Sequence, residues 1–128
     1  MPTDTDQAGE CLQKSYIAIQ KITAFIKLIR EDHKKAADSN PLSKMLARKI
    51  RQNIQKKMEH LTYALCTELK VHMGDFECSS SDVDMEFVRR RYTTSDDTRR
   101  YQRDYLILRD AKFVMDEVSR QIHKHSTG

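Results

Sequence analysis

With 128 residues, three glycines, two prolines and no tryptophan, the chain lacks the turn residues that a β-sandwich or barrel needs at its many corners. Charged residues make up 33% and hydrophobic ones 38%, a balance that suits long, surface-rich helices in one domain with a modest core. The formal charge of +4 is uneven: residues 11–73 carry 13 basic and 5 acidic groups, whereas residues 74–128 carry 10 and 11.

Residues 1–9 are polar and acidic (Asp4, Asp6), show no signal-peptide pattern, and read as a flexible tail. A first helix is expected from about Glu10 to Ala37, its stripe formed by Leu12, Tyr16, Ile19, Ile22, Ile26 and Ile29 at spacings of three and four. The apolar stretch from Tyr16 to Ile29 is interrupted by Lys21 and Lys27 and is too short to span a bilayer. This helix also has a surplus: Ile17, Phe25 and Leu28 fall beside or opposite the stripe. A helix apolar on two sides needs cover on two sides, either from the piece carrying Met85, Phe87 and Val88 or from a second copy in a homodimer.

Asp38-Ser39-Asn40-Pro41 breaks the chain, with Asn40 placed to cap the next helix and Pro41 in its first turn. A second helix is expected to run without interruption from Pro41 to about Met73. Leu42, Leu46, Ile50, Ile54, Met58, Leu61, Leu65 and Leu69 form its apolar side, and Gly74 is placed to end it in a left-handed conformation. Between Asp38 and Glu59 this helix has no acidic residue and six basic ones: Lys44, Arg48, Lys49, Arg51, Lys56 and Lys57. At about 100° per residue, Lys44, Arg48 and Arg51 share one line, with Lys49 and Lys56 on the adjoining flank.

Residues 75–82 read as a linker, and Ser81 with Asp84 resembles a capping box. The remainder allows two readings. One has a short helix from Asp82 to Tyr92 and a last helix from Asp96, capped by Thr94 or Ser95, to about His123. The other is a single helix over 82–123. Tyr101, Tyr105, Leu108, Met115, Val118 and Ile122 share one side of it. The expected architecture is all-α: an antiparallel bundle of three long helices plus a short extra one, a single domain over residues 10–125 with a flexible end at 126–128.

Chemistry is sparse. Three widely spaced glycines exclude a phosphate-cradling loop, and no serine sits in a nucleophile elbow. Cys66, His72 and Cys78 are spaced at six, unlike structural zinc sites. Three cysteines without tight spacing argue against a disulfide scaffold and for a reducing, intracellular setting, cytoplasmic or nuclear. No cofactor, metal or small-molecule substrate is implied. What remains is positive charge. Lys44, Arg48, Lys49, Arg51 and Lys56 form a candidate phosphate-contact face, with Arg89, Arg90 and Arg91 as an auxiliary patch. The expected function is non-catalytic binding of a polyanion, RNA or DNA backbone first and an acidic protein second. The acidic stretch Asp75, Glu77, Asp82, Asp84 and Glu86 is placed to compete for those cations. The rival reading is a protein-interaction module that uses Ile17, Phe25 and Leu28.

Overall fold

The computed structural model describes residues 4–36, 38, 40–78, 83–94 and 96–126, and every regular element among them is helical. The elements are α1 (Asp4–Lys35), α2 (Pro41–Lys49), a π-helical turn (Ile50–Gln55), α3 (Lys56–His72), α4 (Met85–Tyr92) and α5 (Asp97–His125). None of these helices is long and apolar enough to cross a membrane.

Helix α1 starts at Asp4, so residues 4–9 are helical and do not form the expected tail. The physical reason is a docking surface at the far end of α3. Ala8 is buried, and Gly9 lies so close to Met73 that a Cβ there would meet Met73 Cγ at 3.1 Å. The expected stripe of α1, Leu12 to Ile29, is buried throughout. It meets Met58, Leu65 and Leu69 from α3 and Ile107, Ala111 and Val118 from α5 in one core.

Helix α2 begins as its sequence requires. Asn40 Oδ1 accepts from the Leu42 and Ser43 backbone N–H groups at 3.0 and 3.3 Å, and Pro41 occupies the first turn. The helix does not continue uniformly to Met73. From Ile50 to Gln55 it widens into a π turn, closed by Lys56 N–H donating to the carbonyl of Arg51. One extra residue per turn lets Ile50 and Gln55, five apart, both face inward. Gln55 is buried where its Oε1 accepts from Arg30 Nη1 of α1 at 3.0 Å, while Ile54 is left half-buried. Leu42, expected in the apolar stripe, is exposed.

Helix α3 ends at His72 through Met73, whose φ/ψ of −133°/84° already leaves the helix; Gly74 does not take a positive φ. The chain turns back, Phe76 stands edge-on to Tyr16 with centroids 5.6 Å apart, and Cys78 bonds to Cys66 across a Cα–Cα distance of 5.9 Å. Against the expectation of no disulfide scaffold, one bond does form and Cys11 alone is free, so the cysteine argument for a reducing setting loses its ground.

The last third is two helices, not one. Asp84 caps α4 by accepting from the N–H groups of Glu86 and Phe87, and Asp96 caps α5 by accepting from Arg99 N–H at 2.9 Å. Thr94 acts one step earlier, its Oγ1 accepting from Asp96 N–H; Ser81 and Ser95, the other expected caps, lie outside the described residues. The inward line of α5 runs through Asp104, Ile107, Ala111 and Val118, which leaves Tyr101 and Tyr105 exposed.

Helix directions follow from the end contacts. Gly9 lies by Met73 and His33 by Ser43, so α1 runs opposite to α2–α3. His33 also meets Asp104, and His72 meets His125, so α5 runs alongside α3 in the same sense. Helix α4 lays its backbone against α1, and its Tyr92 carbonyl also accepts from Arg103 of α5.

Candidate functional site

The acid-free run emerges as a solvent-facing ridge. Lys44, Arg48, Lys49, Arg51, Lys56 and Lys57 are all exposed, and among the described residues none is paired with a carboxylate. The opposite side of the same segment supplies Ser43, Ile50, Gln55 and Met58 to the interior. Lys44 to Arg51 spans about 10 Å at 1.5 Å per residue. The π turn alters the expected layout. By absorbing one residue it brings Lys56 to within about 20° of Lys44 instead of about 120°, so Lys56 joins the main line.

The auxiliary patch does not assemble as expected. Arg89 is bound at both ends of its fork by Glu31 of α1, Nε to Oε2 and Nη2 to Oε1, each at 2.9 Å. That hydrogen bonding holds the Glu31 carboxyl below its usual range against a smaller desolvation effect, and it raises Arg89 in turn. Arg90 and Arg91 remain exposed without a carboxylate partner among the described residues. Since α4 has no packing contact with α2, the π turn or α3, these two arginines belong to a separate surface.

Most other arginines of the second half are also neutralised. Arg100 pairs with Asp97, Arg109 with Asp110 and Arg120 with Glu117. Arg103 sits in a buried cluster that sequence reasoning missed. Its Nη2 lies 2.8 Å from Asp104 Oδ1, and its Nη1 donates to the Tyr92 carbonyl at 2.9 Å. Asp32 Oδ2 is 2.7 Å from Arg103 Nη2 but out of hydrogen-bond alignment, so that attraction is electrostatic. Asp104 Oδ2 in turn faces His33 Nε2 at 3.1 Å, and His33 Nδ1 faces Ser43 Oγ at 3.2 Å. In the neutral ring, Nε2–H donates to Asp104 and Nδ1 accepts the Ser43 hydroxyl. Serine, histidine and aspartate in a row invite comparison with a nucleophilic triad, but Ser43 is only 6% exposed and is not presented to a substrate. The cluster ties α1, α2 and α5 together at one end. At the other end His72 Nε2 donates to the His125 carbonyl at 2.8 Å. The His125 ring is pushed down by burial first, then by the charges of Lys124 and His72.

The proposed contact of α1 is divided. Ile17 is 47% exposed, Phe25 is half-buried with its ring edge-on to Tyr92 at 5.0 Å, and Leu28 is 1% exposed and therefore no interface residue. With α4 packed on α1 and Val88 buried, the short helix covers part of the surplus face and leaves Ile17 open.

No protein-family model, no curated protein and no solved structure matches the chain.

Proposed function

We propose that the chain is a non-catalytic helical binding protein, an antiparallel bundle whose α2–π–α3 ridge contacts the backbone of RNA or DNA without reading bases. One observation carries the reading. The cations of Lys44, Arg48, Lys49, Arg51 and Lys56 share an exposed face and have no carboxylate partner among the described residues. A phosphate that meets such a cation releases a condensed counterion, whereas an arginine already held by a carboxylate has less to gain. Nucleic acid as ligand places the protein inside a cell. The ridge must then bind with Cys66 and Cys78 reduced, since cytosolic thiols are kept so.

The test is binding of a labelled oligonucleotide, single-stranded and duplex, measured by anisotropy across a salt series. Five duplex phosphate contacts predict a log–log salt slope of about −4.5. The double variant Arg48→Glu/Arg51→Glu should lose about a hundredfold in affinity while its circular dichroism is unchanged, because both side chains face solvent. Unchanged affinity, or binding indifferent to salt, rejects the assignment.

A further inference from the structure

We infer a second binding surface, the groove between α1 and α4, which fits an acidic amphipathic helix with apolar anchors about two turns apart. It goes beyond the nucleic-acid reading and does not rest on it.

The groove encloses about 520 Å³, lined chiefly by Ile17, Lys21, Phe25, Phe87, Val88 and Tyr92. Its floor is fixed: Val88 is buried, and the Phe25 and Tyr92 rings are locked edge to face. Its two walls are open. Ile17 and Phe87 are 47% and 49% exposed, whereas every residue of the Leu12-to-Ile29 stripe on the same helix is buried. Ile17 and Phe25 are eight residues apart, about 12 Å along α1, which matches just over two turns of a docked helix. Such a helix offers anchors at i, i+3 or i+4, and i+7.

The charges choose the partner. Lys21 follows Ile17 by one helical turn, and Arg90 and Arg91 follow Phe87 by three and four residues, so cations stand beside both apolar walls. None of the three is paired with a carboxylate among the described residues. Of the nearby acids, Glu31 holds Arg89 and Asp84 caps α4, while Glu86 is exposed beside Phe87; with Lys21, Arg90 and Arg91 the charge around the groove is still positive on balance. A second copy is the poorer occupant. A two-fold contact sets a patch against itself, so Lys21, Arg90 and Arg91 would face their own equivalents. A helix with Leu or Phe anchors and Glu elsewhere meets both the apolar walls and the cations.

The probe is a fluorescein-labelled peptide of about 16 residues with Leu and Phe at i, i+3, i+7 and Glu at the intervening positions; a control peptide carries Lys in place of Glu. Full-length protein should bind the Glu peptide and not the Lys peptide. The variant Ile17→Ser/Phe87→Ser should weaken binding about tenfold, and Lys21→Glu/Arg91→Glu at least as much. All four positions are exposed, so both variants retain the fold, which circular dichroism verifies. Arg48→Glu/Arg51→Glu should leave peptide binding intact even where it removes oligonucleotide binding, which separates the two surfaces. Three results overturn the inference: no binding of the Glu peptide, binding lost only with the ridge variant, or a dimer in sedimentation that Ile17→Ser/Phe87→Ser dissolves.

Discussion

The two halves of the chain carry similar numbers of basic residues, 13 in residues 11–73 and 10 in residues 74–128, and hold them differently. On α2 and the π turn, Arg48 and Arg51 stand in water without a counter-charge among the described residues. On α4 and α5, Arg89, Arg100, Arg103, Arg109 and Arg120 each hold a carboxylate. The difference lies in the spacing of acids. Arg100, Arg103, Arg109 and Arg120 all have a carboxylate within three residues, close enough to pair along one helix. Lys44, Arg48, Lys49 and Arg51 have none, and only Lys56 and Lys57 at the end of the run come within three residues of an acid, Glu59. A count of positive residues overstates the available field of the second half, and the distance to the next Asp or Glu corrects it.

The comparison is tested hardest at Arg103 and Asp104, whose side chains are 10% and 9% exposed. Asp104→Ala removes the hydrogen-bonded carboxylate of Arg103 and the partner of His33 Nε2 in a dry site, leaving the poorly aligned Asp32 as the one counter-charge beside the guanidinium among the described residues. Removing one partner of a buried pair costs about 3–5 kcal/mol, which for a chain of this size lowers Tm by about 10 °C or more. Arg51→Ala, on the free ridge, should stay within about 0.5 kcal/mol of the parent protein. A thermal melt of both variants decides the matter, and similar shifts would erase the distinction between bound and free arginines.

The next largest effect belongs to the Cys66–Cys78 bond, which closes a loop over a sequence separation of 12. Closing such a loop stabilises by about 3 kcal/mol in the chain-entropy model, commonly less in practice. Cys78→Ser or added dithiothreitol should therefore lower the unfolding free energy read from a urea melt by about 2 kcal/mol. Oligonucleotide affinity should not change, since Cys66 lies about 15 Å along the helix from Lys56. If reduction weakens oligonucleotide binding as much as reversing Arg48 and Arg51 does, the ridge is not self-sufficient.

What the sequence makes legible is local. Asn40 and Pro41 mark a helix start, Thr93 to Asp96 a boundary, and the three-and-four spacing of α1 its buried stripe, because each is decided within one turn of chain. What it conceals depends on partners distant in sequence. His33, Ser43 and Asp104 come from three helices, so nothing in their spacing marks a cluster. The π turn exists where Gln55 meets Arg30, and periodicity alone returns a uniform helix there. Leu28 looks like surplus by its spacing on α1, yet in the fold it is buried. The ridge was legible because a run without acids has no local partner, and only the fold can add whether a distant one arrives.

The smallest effect is the most informative about how a free arginine becomes a bound one. Arg89 and Glu31 are 44% and 36% exposed, so their pair is screened and weak despite its two-pronged geometry. Glu31 has its pKa lowered on folding, chiefly by the Arg89 hydrogen bond. The stability it contributes is therefore present above its unfolded pKa of 4.5 and is lost as pH falls through the depressed folded value. Glu31→Gln keeps the shape and removes the charge. Its Tm should lie slightly below that of the parent at pH 7, and the two melting curves should converge as the solution is acidified past that point. A gap that stays constant down to pH 3 would trace the loss to packing and not to charge. The same variant leaves Arg89 without its carboxylate, in the state that Arg48 and Arg51 already occupy. It should therefore tighten the acidic peptide in the α1–α4 groove while leaving the oligonucleotide on the ridge untouched.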